Sequence, residues 1–310
     1  MSNKLIVILG PTTSGKSSLA INLAQKFNGE IISADSRQVY KGMDIGTGKV
    51  TKAEQKLIKH YLLDVSSPKK QFTVSDFKRL LISAIAQIRG KDKLPFLVGG
   101  SPFYIYAAID NLQIPEVTPN QKLRNQLRRK TTTQLFAMLK KLDPVRAKNI
   151  DKNNPRRLIR AIEIVKATGK PVPPPPNLPL AGGGALIIGI KKSRKQLYKL
   201  IDQRLEQRLN QGMVNEVKKL LKQKISHKRL QEMGLEYRFI SLYLQDHLTY
   251  EQMVEQLKSA IHKFSKRQMT WFQTDKRIKW ISSEKQAERL IKDYIKPSRP
   301  RTTIRGRDPS

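Results

Sequence analysis

Cysteine is absent from this chain of 310 residues, which excludes disulfides, thiolate catalysis and cysteine-ligated zinc. Aromatic residues make up only 6% of it, which argues against a stacking platform of many exposed rings. Acidic residues are scarce too. Against 60 Lys and Arg there are 25 Asp and Glu, a formal net charge of +35. No segment approaches the roughly 20 apolar residues that a membrane span needs. The opening MSNKLIVILGP ends in Gly-Pro and has no small-residue cleavage pattern of a signal peptide. A cytoplasmic protein with no membrane partner is expected. The excess of positive charge points to a polyanionic partner, because each neutralised phosphate releases a condensed counterion. A basic surface kept only for solubility would have the same composition.

What is present is ordered. The run KLIVIL at Lys4–Leu9, closed by Gly10-Pro11, predicts a buried parallel strand. A helix follows over Lys16–Phe27, with Leu19, Leu23 and Phe27 on one side, and then a short strand at Glu30–Ser33. Thr-Val-Ser-Asp at Thr73–Asp76 is a capping pattern and opens a helix to Ile88. Leu94–Val98 is another buried strand. Strands alternating with helices predict an α/β fold, a parallel sheet flanked by helices. Residues 114–170 are basic and helical in pattern. They run into PVPPPPNLP and Gly182–Gly184, a connector unsuited to either regular element. Ala185–Ile190 then resumes the strand signature. The economical reading is a helical insertion domain over 114–184 within a core of 1–113 and 185–295. A separate second domain is the competing reading. Residues 193–275 read as almost wholly helical, Arg277–Ile281 as a last strand and Ser283–Ile295 as a last helix. The Pro- and Arg-rich tail 296–310 reads as disordered.

Gly10-Pro11-Thr12-Thr13-Ser14-Gly15-Lys16-Ser17 fits G-x-x-x-x-G-K-[ST], with a strand before it and a helix after it. Together with Ser18 these residues predict a phosphate or diphosphate site in a P-loop NTPase-like core. Backbone amides and a helix N-terminus would face the anion, Lys16 would add a point charge, and Ser17 could ligate Mg²⁺. An ordinary P-loop NTPase carries an Asp at the end of a later strand. Here Leu94–Val98 ends instead in Gly99-Gly100-Ser101, and the prominent acid is Asp35, just past the second strand. Asp35 either faces the bound phosphate or simply closes a turn in ADSRQ.

The segment Asp35–Lys49, DSRQVYKGMDIGTGK, resembles the signature of the tRNA dimethylallyltransferases. Further matches follow in the same order: HYLLD at 60–64, FTVSDF at 72–77, LVGGS at 97–101, LDP at 142–144, NPRRLIRAIE at 154–163, GLEYR at 234–238 and KRQMTWF at 266–272. The resemblance spans roughly residues 4–281. It implies a diphosphate-holding P-loop, dimethylallyl diphosphate and a tRNA anticodon stem-loop as substrates, Mg²⁺, and an inserted helical element that grips the RNA. The product would be an isopentenyl-modified adenosine next to the anticodon.

By the same resemblance Lys16, Ser17 and Asp35 are the catalytic residues, with Asp35 as general base for the adenine amine or the group that holds it in line. Implied tRNA contacts are Asp35, Ser36, Arg37, Gln38, Ser101, Arg124, Arg156, Arg157, Arg160, Arg238, Lys266, Arg267 and Gln268. Arg156 and Arg160, at i and i+4, share a helix face. Two positions depart from the family: Ser101 stands where Thr is usual, and Asn154 where an acid is expected. Trp271 and Phe272 read as core residues. The four histidines form no metal-ligand spacing. A P-loop kinase or NTPase acting on nucleic acid, and a catalytically silent tRNA-binding protein, are the competing functions. Neither explains the segment from Asp35 to Lys49. A monomer is expected.

Overall fold

The computed structural model describes residues 4–110, 115, 117–172 and 184–296. One sheet contains β1 (Ile6–Leu9), β2 (Gly29–Ser33), β3 (His60–Tyr61), β4 (Leu94–Gly99), β5 (Leu186–Ile190) and β6 (Lys279–Ile281). Its strands lie in the order β3-β2-β4-β1-β5-β6 and every neighbouring pair is parallel. The strands expected from apolar runs are present, with starts that differ by at most two residues. β3 went unread because two residues carry no period.

Alternation along β1 explains how the sheet is covered. Helices α1 (Lys16–Lys26) and α2 (Lys52–Leu57) come first in the chain, and Leu5, Val7 and Leu9 point to one face, where they pack with the later α3 (Val74–Arg89) and α4 (Pro102–Ile109). Ile6 and Ile8 point to the other face, against α1. Both faces are therefore dry, which is why the strands read as unbroken apolar runs. α3 begins at the capping box that its sequence announces. Thr73 accepts from the Asp76 amide, and the Asp76 carboxylate accepts from the Thr73 amide and hydroxyl.

Between α4 and β5 the chain forms α5 (Gln121–Arg128), α6 (Thr132–Leu142), α7 (Pro144–Asn149) and α8 (Pro155–Thr168). These four pack around their own small core of Leu127, Leu135, Leu139, Leu158 and Ile162. After β5 come α9 (Arg194–Asn210), α10 (Met213–Lys222), α11 (His227–Met233), α12 (Leu235–Tyr243) and α13 (Tyr250–Phe272), and after β6 comes α14 (Glu284–Ile295). α14 joins α1 on its face of the sheet through Ala287 and Ile291. Helices α9 to α13 enclose a third core, and Val39, Tyr40 and Met43 from the segment after β2 are buried inside it. The C-terminal helices thus hold the loop that carries the family-like signature. Most of the Pro/Gly connector and the tail expected to be disordered lie outside the described residues. No helix among those described is long and apolar enough to cross a membrane.

Candidate active site

The parallel sheet brings the carboxyl ends of β1, β2 and β4 to one edge, and the loops that follow them meet there. Gly10–Lys16 turns through two left-handed residues, Thr13 at φ 60° and Gly15 at φ 92°, a backbone path that aims successive amides inward as an anion nest. Lys16 Nζ folds back over the loop and donates to the Pro11 carbonyl at 2.8 Å. Burial pulls the Lys16 ammonium down to a pKa of about 8; the nearby Asp35 carboxylate opposes the shift and the Arg204 guanidinium adds to it. Ser14 is 2% exposed and its hydroxyl has no hydrogen-bond partner. An orphaned hydroxyl inside an anion nest suits a phosphate oxygen as partner.

Asp35 both closes a turn and stands beside the phosphate loop. Its Oδ1 accepts from the Arg37 amide at 2.8 Å and from the Gln38 amide at 3.4 Å, which leaves Oδ2 outside the turn. The two sequence readings of this residue are compatible. The Ser36 amide donates to Ser101 Oγ at 3.2 Å, so the hydroxyl that stands in place of the usual Thr ties the end of β4 to this turn. Gln38 spends its amide internally, on Ser33 Oγ and the Gly48 carbonyl. Arg37 lies half-buried against Gly234, which brings the GLEYR segment alongside.

At the end of β4 there is no room for a strand-end acid. A side chain on Gly99 would collide with the Ala34 backbone. One on Gly100 would stand 2.7 Å from Gln268 Nε2 and 3.2 Å from the Gly10 carbonyl. Gln268, only 5% exposed, explains this crowding. Its Oε1 accepts from the Thr12 amide at 3.0 Å and its Nε2 donates to the Gly100 carbonyl at 2.6 Å. One side chain of α13 therefore clamps the phosphate loop to the end of β4.

A cavity of about 450 Å³ opens beside the loop, with Lys16, Ser17, Gly48, Lys52, Arg204 and Arg208 among its walls. Arg204 and Arg208 were not anticipated. One helical turn apart on α9, they reach the loop 44–49: Arg204 donates to the Gly48 carbonyl, and Arg208 to the Gly46 carbonyl and to Glu236. Burial and the neighbouring Arg208 hold Arg204 below its usual pKa. Glu216 of α10 completes the grip. It is 8% exposed, and its carboxylate accepts from the amides of Asp44, Ile45 and Gly46 and from the Tyr237 hydroxyl, at 2.7 to 3.0 Å. Lys49 sits under the loop, bonded to Asp44, Asp64 and the Tyr40 carbonyl. The i, i+4 spacing of the two arginines was the only signal available in sequence. For Glu216 there was none, because its partners are backbone amides 170 residues away.

The remaining expected residues are more scattered. Arg267 and Arg238 are exposed, whereas Lys266 lines a separate hollow with Lys192, Arg194 and Tyr198, away from the phosphate loop. Phe272 is fully buried, but Trp271 is 42% exposed, a correction to its reading as core. Adjacent helical positions differ by about 100°, so when Phe272 faces the sheet Trp271 cannot. In the α5–α8 unit, Arg124, Arg156 and Arg160 share a basic cleft with Arg128 and Lys130. Arg124 and Arg160 both pair with Glu163, at 2.7 and 2.6 Å. Burial would raise the Glu163 carboxyl, yet these two guanidiniums and the Asn120 amide hold it below its usual value. Asn154 caps α8 by accepting from the Arg157 amide at 3.2 Å, a task an acid would also perform.

Among the described residues no three His, Cys, Asp or Glu side chains gather as a metal cage. The donor set is the Ser17 hydroxyl, on the cavity wall. That fits a hard cation held mainly by phosphate oxygens and water, as Mg²⁺ is.

The comparisons agree with this geometry. Residues 38–275 match the family model described as IPP transferase. A tRNA dimethylallyltransferase of Anoxybacillus flavithermus is 39% identical over 285 residues, 91% of each chain. The tRNA dimethylallyltransferase 1 of Geotalea uraniireducens is 40% identical over 300 residues, 94% of this chain and 98% of that one. Among solved structures, the full-length tRNA isopentenylpyrophosphate transferase of Bacillus halodurans superposes with a TM-score of 0.70 at 34% identity, covering 95% of this chain and 96% of that one. A eukaryotic dimethylallyltransferase acting on tRNA gives 0.75 at 26% identity, covering 94% of this chain and 77% of that one. With the P-loop, the Asp35 turn and the glycine-ended β4 all in place, this chain belongs to the IPP transferase family, the family of the tRNA dimethylallyltransferases.

Proposed function

We propose that the protein transfers a dimethylallyl group from dimethylallyl diphosphate to the exocyclic N6 of the adenosine on the 3′ side of a tRNA anticodon, releasing diphosphate. The observation that carries this reading is the exchange of acids at the sheet edge. The end of β4, where an NTPase places its water-organising Asp, is closed by Gly99 and Gly100 under Gln268. The acid beside Lys16 is instead Asp35, on the turn that carries the family signature.

The step then runs as a substitution at the first carbon of the prenyl group. The N6–carbon bond forms, the carbon–oxygen bond to diphosphate breaks, and the N6 proton passes to Asp35. The amides of Gly10–Lys16, the Lys16 ammonium and the basic cavity wall stabilise charge developing on the leaving diphosphate. Mg²⁺, held on Ser17, would add Lewis-acid neutralisation of that charge. Ser36, Arg37, Gln38 and Ser101 shape the place where the adenine enters, tied by the Ser36–Ser101 bond and by bonds to Ser33, Asp35 and Gly48. Lifting that base from its stack costs a few kcal/mol. Contacts of Arg128, Arg156, Arg157, Arg238 and Arg267 with RNA phosphates would offset this, and the insertion helices α5–α8 form the grip. Arg124 and Arg160, tied to Glu163, set the shape of that basic cleft.

Transfer of labelled dimethylallyl from its diphosphate to unmodified tRNA, with Mg²⁺ and without ATP, tests the reading. Label on the adenosine beside the anticodon is the expected result. No transfer, together with tRNA-stimulated ATP hydrolysis, would replace it by a conventional NTPase.

A further inference from the structure

In the C-terminal half of α13 two aromatic residues stay in solvent, while Ile261, Ser265, Gln268 and Phe272 of the same stretch are buried. Phe264 is 38% exposed and Trp271 is 42% exposed. Seven residues apart, they stand two turns from each other on one face, with Arg267 between them. Each ring carries a guanidinium: Arg267 lies 5.9 Å from the Phe264 centroid, and Arg157 of α8 lies 5.7 Å from that of Trp271. We propose that this stripe of Phe264, Arg267 and Trp271, joined by Arg157, is a stacking surface for unpaired nucleobases of the tRNA anticodon loop. The proposal rests on the tRNA substrate proposed above and adds the residues that would hold the loop's bases.

Three observations favour RNA as the occupant. First, the chemistry matches: unstacked bases of RNA loops seat on aromatic rings and on the planes of arginine guanidiniums, and here the two alternate. Second, the charge matches: from Gln256 to Thr274 there is no Asp or Glu; Lys258 is paired by Asp202, and Lys263, Lys266 and Arg267 remain. A neutral apolar protein partner would leave those cations uncompensated. Third, the position matches. An adjacent face of the same helix supplies Gln268, which clamps the phosphate loop, and Arg157 arrives from the α5–α8 unit. The stripe therefore lies beside the residue that clamps the phosphate loop, and its Trp271 end meets the α5–α8 unit. An anticodon loop whose target adenine enters the site would lay its neighbouring bases along this stripe. Stacking there replaces the stacking that the loop gives up.

Fluorescence gives the test, because Trp271 and Trp280 are the only tryptophans. Trp280→Phe leaves Trp271 as sole reporter, and its emission is followed while an unmodified anticodon stem-loop RNA is titrated. Quenching and protection from acrylamide are expected. Trp271→Ala should raise Kd and KM for tRNA by about 5- to 100-fold, leave KM for dimethylallyl diphosphate unchanged, and leave the salt dependence of binding intact. Trp271→Phe should recover most of the loss. RNA that binds while Trp271 emission and acrylamide access stay constant would overturn the proposal, as would a Trp271→Ala variant that binds tRNA like the parent. The wild type's transfer assay is a separate readout. Transfer without Trp271 protection defeats this inference alone, and protection without transfer defeats only the proposed reaction.

Discussion

At the scale of single residues, the proposed reaction rests on Asp35 and Lys16, and each has a sharp expectation. Asp35 Oδ1 holds the turn through two amides, so removing the whole side chain would confuse folding with catalysis. Asparagine keeps that oxygen and loses the base. Asp35→Asn should lower kcat by at least ~10² while tRNA binding stays near the parent value. A loss confined to tRNA affinity in filter binding would remove Asp35 from proton transfer. For Lys16 the sign is set by its ligand. Diphosphate favours the ammonium, and burial has brought the free group down to about 8. Affinity for dimethylallyl diphosphate should therefore be flat below that pH and weaken above it, approaching about tenfold per unit. The diphosphate ester is fully ionised above about pH 7, so calorimetric titrations from pH 7 to 10 report Lys16. A pH-independent Kd over that range would contradict its role.

At the scale of elements, one wall of the cavity is a loop held from outside. Residues 44–49 have no regular structure, yet α9 and α10 grip both polarities of their backbone: Glu216 takes three amides, while Arg204 and Arg208 take carbonyls. Glu216→Ala would leave three N–H groups unpaired, that of Gly46 buried and those of Asp44 and Ile45 partly so. At about 1 kcal/mol or more for each, the expected loss is about 3 kcal/mol in denaturant unfolding, with a rise in KM for dimethylallyl diphosphate because the cavity wall loosens. Unchanged stability and KM would mean that the loop holds itself. The sequence disclosed the helices on both sides but not this grip. Periodicity reports which face of a helix is apolar, and Glu216 lies within a buried face as its polar exception. The same blindness placed Trp271 in the core beside Phe272. An apolar residue next to a core position is indistinguishable from a core residue until the helix is docked.

At the scale of the whole molecule, charge dominates. A net +35 facing a polyanion makes binding a counterion-release process. The tRNA Kd should weaken by at least about 10² between ~50 and ~200 mM salt, whereas the dimethylallyl diphosphate Kd should move far less. Equal salt responses of the two ligands would show that the charge serves solubility and not RNA capture. The architecture divides the labour. Parallel strands, dry on both faces, bring the phosphate loop and the Asp35 turn to one edge. Helices α5–α8 pack around a core of their own and hold a basic cleft, with Glu163 binding Arg124 to Arg160.

Sequence alone determined the parallel α/β sheet, the glycine-rich loop between its first strand and helix, and the family. Each of these is written in contiguous residues: apolar runs, glycine spacing, or a motif within fifteen positions. Tertiary structure alone decided what holds those pieces. Glu216 bonds amides 170 to 172 residues away, Gln268 bridges the P-loop and the end of β4 across 256 and 168 residues, and Trp271 meets a guanidinium from another unit. Contacts of that separation leave no local pattern, because the entropy of closing such loops is recovered only when the whole chain packs.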